Sequence, residues 1–392
     1  MSTAPRRLEW RPRVWCSEPS VLAYRLGLVV KRRAGHGRHS TPRPPVALLA
    51  LVLALSFVAA GCLHGNGDEE GALLDEVQER GTLNCGVNDA VPGFGFVTAG
   101  GEFQGFDVDF CRAVAAGVLG DADAVEYRPL TAEQRFTALQ GREIDVLIRN
   151  TTWTSSRDGS EGATFLTTTF YDGQGMMVRA DSQHQDLEDM EGTTICVLSG
   201  TTTELNLETQ FRARQIQYTP LSFEDVDTIQ QAFVQGRCDG WTSDKSQLAG
   251  IRANWPEGQG GPDALRILEV TMSKEPLGPV VRDGDSTWAA AVNWIVIATI
   301  QAEEFGITSE NVEQMTQSDD PEVRRFLGQP VEGEAFDPGL GLDPDFAVNV
   351  IGAVGNYGEI YDRNVGTDGL GLPRELNALW TEGGLLYAPP YR

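Results

Sequence analysis

Histidine and lysine are scarce in this chain of 392 residues, which has four histidines and three lysines. Beyond the first 61 residues the histidines are His64 and His184, both in polar stretches, so neither a Ser-His-Asp triad nor a histidine metal site is expected. Cationic charge is scarce as well, with 31 Lys and Arg against 56 Asp and Glu and a net charge of -25. Such an acidic surface repels a phosphate backbone, which excludes nucleic acid as a partner.

Long hydrophobic runs are limited to one, at residues 46–61, which follows several arginines and is too short to span a bilayer comfortably. Small residues precede Cys62, a pattern typical of a secretory signal and similar to a bacterial lipobox. Lipidation of Cys62 and simple cleavage both remain open, because Ala59 stands where leucine is usual. We therefore predict a signal peptide with a long basic leader at 1–61 and a flexible tether at 62–71. The mature protein is expected to be exported, periplasmic or on the cell surface, and lipid-anchored.

Cysteine spacing argues against a metal site, since no two cysteines have CxxC spacing. Four cysteines remain beyond the signal region and the candidate lipid site: Cys85, Cys111, Cys196 and Cys238. An even number in an exported protein favours two disulfides. Local pairing, Cys85 with Cys111 and Cys196 with Cys238, is the most economical of the three connectivities. Two buried free thiols in each domain are the alternative.

Apolar segments alternate between strand and helix patterns in two successive series. The first series has strands at 82–87, 125–127 and 144–148 and helices at 107–119 and 133–140. The second has strands at 194–198, 216–218 and 238–241 and helices at 203–214 and 225–234. Extended segments near 173–178 and 267–281 join the two series, and a helix at 286–304 precedes an acidic, glycine-rich tail. This order predicts two α/β lobes, each a doubly wound sheet flanked by helices, with a cleft between them.

The segment at 149–157, with the sequence RNTTWTSSR, directly follows the predicted strand at 144–148. Ligands of open α/β sheets bind at the carboxyl ends of strands. Hydroxyl and backbone N–H groups there can hold an anion, and a guanidinium such as that of Arg157 pairs with a carboxylate through two N–H groups. The segment therefore suggests a site for a small acid, although a polar turn with a surface arginine would show the same pattern.

Several motifs occur in a fixed order along the chain. They are GFDVD at 105–109, RFTAL at 135–139, DVL at 145–147, TWTSSR at 152–157 and SGTTT at 199–203, then Asp239 and Asp244. Longer phrases are YDGQG at 171–175, SKEPLGPV at 273–280, GNYGEI at 355–360 and NALWTEGGL at 377–385. Together they resemble the extracellular solute-binding proteins of polar amino-acid ABC transporters, and the longer phrases resemble the general L-amino acid-binding branch. The resemblance covers residues 72–392.

A periplasmic binding protein type 2 fold, with two lobes joined by two hinge strands, is what the resemblance implies. The first lobe would comprise 72–174 and 273–392, the latter with a C-terminal extension, and the second lobe 175–272. Closure of such lobes by hinge motion would enclose one ligand.

Four residues would bind the ligand α-carboxylate if the resemblance holds. Arg157 would pair with it, assisted by the hydroxyl and N–H of Thr152. Thr201 and Thr202 would supply backbone and hydroxyl donors from the second lobe. These threonines also fit an ordinary helix N-cap, and the two roles are compatible because helix N-termini bind anions.

The ligand α-ammonium would be accepted by Asp244, with the backbone at Asn150 as a further acceptor. A zwitterion needs one cation and one anion in the protein, and each lobe supplies one. A solvated loop carboxylate is the alternative for Asp244.

The side-chain pocket departs from relatives that bind cationic or amide amino acids. An aromatic residue of those relatives corresponds to Val91 here, and an acidic one to Asn88. Phe94 and Phe136 are candidate apolar walls, although core packing is the commoner fate of either. A pocket without a fixed charge or stacking ring predicts broad specificity.

The resemblance implies a monomer without cofactor or metal that captures L-amino acids and delivers them to a membrane permease. An enzyme similar to cyclohexadienyl or arogenate dehydratases on the same fold is the alternative. Carboxylates or lysines could act as acid or base there, but Lys245 and Lys274 show no partner pattern. A sensor ectodomain is disfavoured because no signalling domain follows.

Overall fold

The computed structural model of the protein describes residues 71–331, 333 and 336–392. The predicted signal peptide, Cys62 and the tether up to residue 70 lie outside the described residues. No helix in the described ranges combines the length and the apolar character needed to cross a membrane.

Strands and helices alternate along the chain. The strands are β1 (Leu83–Val87), β2 (Ala90–Val91), β3 (Gly95–Val97), β4 (Phe103–Gln104), β5 (Val125–Pro129), β6 (Val146–Leu147), β7 (Ala163–Phe165), β8 (Phe170–Asp172), β9 (Gln174–Arg179), β10 (Thr194–Leu198), β11 (Thr219–Phe223), β12 (Gly240–Asp244), β13 (Leu265–Ile267), β14 (Glu275–Leu277) and β15 (Val280–Arg282). The helices are α1 (Ala72–Arg80), α2 (Phe106–Leu119), α3 (Arg135–Gln140), α4 (Ser155–Ser160), α5 (Thr202–Arg214), α6 (Val226–Val234), α7 (Lys245–Ala253), α8 (Ser286–Glu304), α9 (Val312–Met315), α10 (Pro321–Phe326), α11 (Phe346–Val354) and α12 (Tyr357–Asn364).

Two five-stranded open sheets with the same plan form the two lobes. The first has the order β5-β1-β6-β15-β7 and the second the order β11-β10-β12-β9-β13. In each sheet the first three strands in this order pair in parallel. The fourth strand pairs antiparallel with both of its neighbours. The carboxyl ends of the parallel strands are therefore free to carry ligand-binding loops. This is the predicted two-lobed α/β fold, and the lobe boundaries proposed from the sequence stay predictions.

A separate two-stranded ladder connects the lobes, in which β8 pairs antiparallel with β14. The predicted connection at 173–178 is wrong in detail, because β9 is the fourth strand of the second sheet. Its side chains are buried by that sheet, which explains why its apolar pattern resembled a connection. The predicted segment at 267–281 contains the second crossing strand, β14.

Helix α2 contributes two rings to an aromatic cluster in the core of the first lobe. Phe106 and Phe110 are one turn apart and pack edge to face, with ring centroids 5.0 Å apart. Gly105 precedes the helix with φ of 135°, and a Cβ there would lie 2.1 Å from the carbonyl oxygen of Phe94. Only glycine fits this turn.

The chain after α8 is not a simple acidic tail, because it contains α9–α12 and covers the first lobe and the hinge. Asn377 accepts a hydrogen bond from the N–H of Tyr171 on β8 at 2.7 Å and donates to the Tyr171 carbonyl at 3.2 Å. Tyr357 donates its hydroxyl to the carbonyl of Thr169 at 2.8 Å. The extension therefore holds one hinge strand along its backbone.

Both disulfides are present and local. Cys85 on β1 is bonded to Cys111 on α2, with Cα atoms 6.1 Å apart. Cys196 on β10 is bonded to Cys238, with Cα atoms 5.7 Å apart. Each bridge lies among the elements of one sheet and its helices.

The strand predicted at 216–218 is wrong, because the strand is β11 and begins at Thr219. Gln215 ends α5 with φ of 60°, and the N–H of Ile216 donates to the carbonyl of Phe211 at 2.9 Å. Ile216 is buried beneath the helix end. Its apolar side chain serves that packing rather than the sheet.

Candidate functional site

A small cavity lies where the strand ends of the two lobes meet. Eight of the predicted site residues line it: Asn88, Val91, Asn150, Thr152, Arg157, Thr201, Thr202 and Asp244. Its volume is about 20 Å³, which is enough for a water molecule but not for an amino acid. The lobes therefore lie close together at this cavity, which is too small for an amino acid as it stands.

Arg157 lies on α4, just after the carboxyl end of β6. Thr154 caps this helix by accepting the N–H of Arg157 at 3.2 Å. The guanidinium Nη1 donates to the carbonyl of Thr152 at 2.9 Å. Burial lowers the pKa of Arg157, while Glu275 and Asp244 raise it. A desolvated guanidinium held in this way is suited to pairing with a carboxylate.

Asn150 bridges the two lobes in a strained backbone conformation, with φ of 30°. Its N–H donates to Oδ2 of Asp107 at 2.7 Å. Its side-chain Nδ2 donates to Oδ2 of Asp244 at 3.2 Å, and its Oδ1 accepts from Nδ2 of Asn88. The side chain of Asn150 thus holds Asp244 where the sequence suggested only a backbone role.

Asp244 ends β12 and has one carboxylate oxygen without a partner. Its Oδ1 is buried and makes no hydrogen bond within the described part of the chain. Burial raises the pKa of Asp244 well above its usual range, and the charges of Asp172 and Glu275 raise it further. A buried, unpaired carboxylate oxygen carries a desolvation cost that a ligand cation would remove.

Helix α5 begins at the cavity with Thr201 as its N-cap, whose hydroxyl oxygen accepts the N–H of Glu204 at 3.1 Å. The same hydroxyl donates to the carbonyl of Leu198 at 2.7 Å. Thr202 donates its hydroxyl to Oε2 of Glu275 at 2.9 Å. Both hydroxyl protons are thus used inside the protein. The first N–H groups of a helix have no intrahelical partner, so the N–H groups of Thr202 and Thr203 remain as anion donors.

The cavity is also lined by six residues that were not predicted from the sequence: Arg135, Arg149, Leu198, Thr203, Ser243 and Gln247. Arg135 is buried at the start of α3 and donates from Nη2 to the carbonyl of Gly200 at 3.3 Å. Burial lowers its pKa well below the usual range, as do Arg157 and Arg149. Three guanidinium groups therefore surround the cavity. Arg135 belongs to the motif at 135–139 and Arg149 to the segment at 149–157, but nothing in either sequence indicated that these side chains would be buried.

Two predicted apolar walls do not line the cavity. Phe94 is in the core of the first lobe, with its ring 5.1 Å from Phe170 and 5.8 Å from Phe106. Phe136 lines an outer groove of about 680 Å³ that continues from the cavity past Arg157. The guanidinium carbon of Arg157 lies 5.6 Å from the centroid of the Phe136 ring. The ring therefore supports the arginine.

The described part of the site has few side chains that could act as an acid or base or bind a metal ion. The described lining residues include no histidine, cysteine or lysine, and His184 contacts the carbonyl of Asp189 instead. No group of three His, Cys, Asp or Glu side chains within the described ranges is placed to hold a metal ion. The arrangement offers a cationic face on one lobe and an unpaired carboxylate on the other, which suits a small zwitterion.

The sequence pattern of the bacterial extracellular solute-binding proteins, family 3, matches residues 83–310. A general L-amino acid-binding periplasmic protein of Rhizobium johnstonii is 46% identical over 342 residues, which are 87% of this chain and 99% of that protein. A glutamate/glutamine/aspartate/asparagine-binding protein of Rhodobacter capsulatus is 48% identical over 87% of this chain and 97% of its own length. A solved ABC transporter/periplasmic binding protein from Brucella ovis, with glutathione bound, superimposes with a TM-score of 0.78 at 46% identity, covering 81% of this chain and 99% of that one.

Proposed function

The chain belongs to the bacterial extracellular solute-binding proteins, family 3, and on this premise we propose that it captures L-amino acids and delivers them to the permease of an ABC transporter. The two relatives that bind amino acids are matched over nearly their whole length. The Rhizobium johnstonii relative is a periplasmic protein, which supports export of this chain.

The unpaired Oδ1 of Asp244 is the observation that carries the proposal. It is buried and lines the same cavity between the two lobes as Arg157. The α-ammonium would be bound by Asp244, and the α-carboxylate by Arg157, Thr152 and the first N–H groups of α5. These contacts involve only the backbone part of an amino acid. They therefore support broad specificity.

The ligand side chain would lie near Asn88, Val91 and Arg135. Arg135 has a buried Nε without a hydrogen bond in the described part of the chain. An oxygen-bearing side chain would satisfy this donor, because a buried unpaired N–H costs about 1–3 kcal/mol. We therefore expect acids and amides to bind more tightly than apolar amino acids.

Ligand entry would separate the contacts that now join the lobes. They include the hydrogen bonds from Asn150 to Asp244, between the hydroxyls of Thr152 and Thr202, and from Arg135 to the carbonyl of Gly200. The ladder of β8 and β14 would be the hinge. We propose lobe boundaries at 72–174, 175–272 and 273–392, a monomeric state, and lipidation of Cys62.

Binding without chemical change is part of the proposal. A dehydratase-like activity would need an acid or base facing the ligand, and the carboxyl of Asp244 is the one such group lining the described cavity. As the one acidic residue lining the described cavity, it suits an ammonium. Incubation with arogenate or prephenate should return both compounds unchanged, and turnover would favour the enzyme.

Calorimetric titration with a panel of L-amino acids tests the function directly. Ligand carried through purification would first be removed by unfolding and refolding. We expect heat from several amino acids, most from acids and amides, and none from their D-enantiomers. Absence of heat from every L-amino acid would overturn the proposal.

A further inference from the structure

Glu275 is a buried carboxylate on hinge strand β14, only 1% exposed. It does not line the cavity, yet its backbone pairs with Asp172 on the other hinge strand. The ligand roles proposed above do not use it. A buried acid beside the carboxylate-binding end of a site requires an explanation, because its charge opposes that of the ligand.

Three donors satisfy the carboxylate of Glu275. Oε1 accepts from Nδ2 of Asn206 at 2.8 Å and from the hydroxyl of Ser273. Oε2 accepts from the hydroxyl of Thr202 at 2.9 Å. Asn206 and Thr202 both belong to α5. Glu275 thus fastens the first turns of this helix to the hinge.

The bond to Glu275 fixes the direction of the Thr202 hydroxyl. A hydroxyl has one proton, and Thr202 donates it to Oε2 of Glu275. The oxygen of Thr202 therefore presents lone pairs to its other neighbour, the hydroxyl of Thr152 at 3.3 Å. Thr152 must be the donor in that contact between the lobes.

We propose that Glu275 is a positioning residue that acts through Thr202: by accepting its proton, Glu275 turns the Thr202 hydroxyl into an acceptor facing the ligand. This inference rests on the proposed function, because it concerns the binding of an α-carboxylate at this end of the cavity. The carboxylate is then held by Arg157, the backbone N–H of Thr152 and the backbone N–H groups of α5. Thr202 contributes its N–H, while its hydroxyl oxygen repels the ligand carboxylate. Glu275 thereby moderates affinity so that bound ligand can be released to a permease.

The test compares the affinity for an L-amino acid with that for its α-carboxamide, using L-glutamine and L-glutamine amide in calorimetric titrations. The ratio of the two affinities reports which groups face the α-carboxyl position. Glu275→Gln keeps the shape, lets an amide N–H donate to Thr202, and frees the Thr202 proton. We expect the ratio to rise about tenfold in favour of the free acid.

Thr202→Val tests, without altering Glu275, whether the Thr202 hydroxyl acts toward the ligand as an acceptor or as a donor. Removing an acceptor should raise the ratio, whereas removing a donor would lower it. In the Thr202→Val background, Glu275→Gln should change the ratio less than twofold. A lowered ratio in Thr202→Val, or an undiminished gain in the double variant, would overturn the inference.

Ser273→Ala is the matched control, because it removes one hydrogen bond to Glu275 without touching Thr202. Its ratio should equal that of the wild type. A gain equal to that of Glu275→Gln would show that the site responds to any disturbance of the hinge, and the inference would fail. If the unaltered protein bound no amino acid, the proposed function itself would fail, which is a distinct outcome.

Discussion

Nδ2 of Asn150 and Oδ2 of Asp244 lie 3.2 Å apart and join the carboxyl ends of strands in different sheets. The bond uses one oxygen of Asp244 and leaves the other buried, with no hydrogen-bond partner among the residues that the structure describes. The amide thus holds the carboxyl group in place without pairing it with a cation. A ligand ammonium would be the partner that favours its charged form.

Ligand binding should release protons and should strengthen as pH rises. Burial raises the pKa of Asp244 in the ligand-free protein, and a bound ammonium would lower it by favouring the charged form. Affinity is therefore lost as pH falls through the raised pKa. Titrations in buffers of different ionisation enthalpy measure the released protons. Asp244→Asn should abolish the release, and a release that persisted in this variant would refute the assignment.

Arg157→Ala should weaken every amino-acid ligand by about 2–4 kcal/mol, since it leaves a buried carboxylate unpaired. Calorimetry across the amino-acid panel measures this loss. Arg212, an exposed arginine paired with Glu208, provides the control, and Arg212→Ala should bind as the wild type does. A loss confined to one amino acid would show that Arg157 contacts a side chain instead.

Arg135→Gln should change selectivity more than overall affinity. Glutamate should lose at least tenfold in affinity, because its side-chain carboxylate would lose a charged partner, while alanine should lose little. Competition titrations give the ratio of the affinities for glutamate and alanine. Val91→Ala is the comparison, since it changes the size of the pocket without changing its charge, and should shift preference among apolar side chains. Equal losses for glutamate and alanine would place Arg135 outside the side-chain pocket.

Removing the Cys196–Cys238 bridge by a double serine substitution should lower the free energy of unfolding by about 3–4 kcal/mol in the loop-entropy model. Chemical denaturation measures the change. Non-reducing peptide mapping of the native protein should return the pairs Cys85–Cys111 and Cys196–Cys238. A disulfide between the two lobes, such as one joining Cys85 and Cys196, would contradict hinge motion of one lobe relative to the other.

Local pattern predicted those parts of the fold that depend on local sequence. Helix α8 has the bounds expected from its apolar run, and Arg157 could be anticipated because a polar cluster follows a buried strand. Arg135 could not be anticipated, because the sequence indicates an exposed side chain for the first residue of a short helix, and only the packing of the opposing lobe buries it. Phe94 was misplaced for a related reason, since its ring partners Phe106 and Phe170 come from elements distant in the chain. The position of Glu275 beside Thr202 depends on a hinge crossing between residues 73 positions apart.

The contact of Asn377 with Tyr171 bears on how this protein can be shortened. The family match ends at residue 310, and a fragment cut there would contain both sheets and all lining residues of the described cavity. It would lack Tyr357 and Asn377, which bind the backbone of the segment that enters the second lobe. It would also lack Phe346, Val350 and Ile351 of α11, which are buried in the core of the first lobe. The cut would therefore expose that core as well as remove the outer wall of the hinge. The matched segment is thus shorter than the piece of chain needed to complete the first lobe.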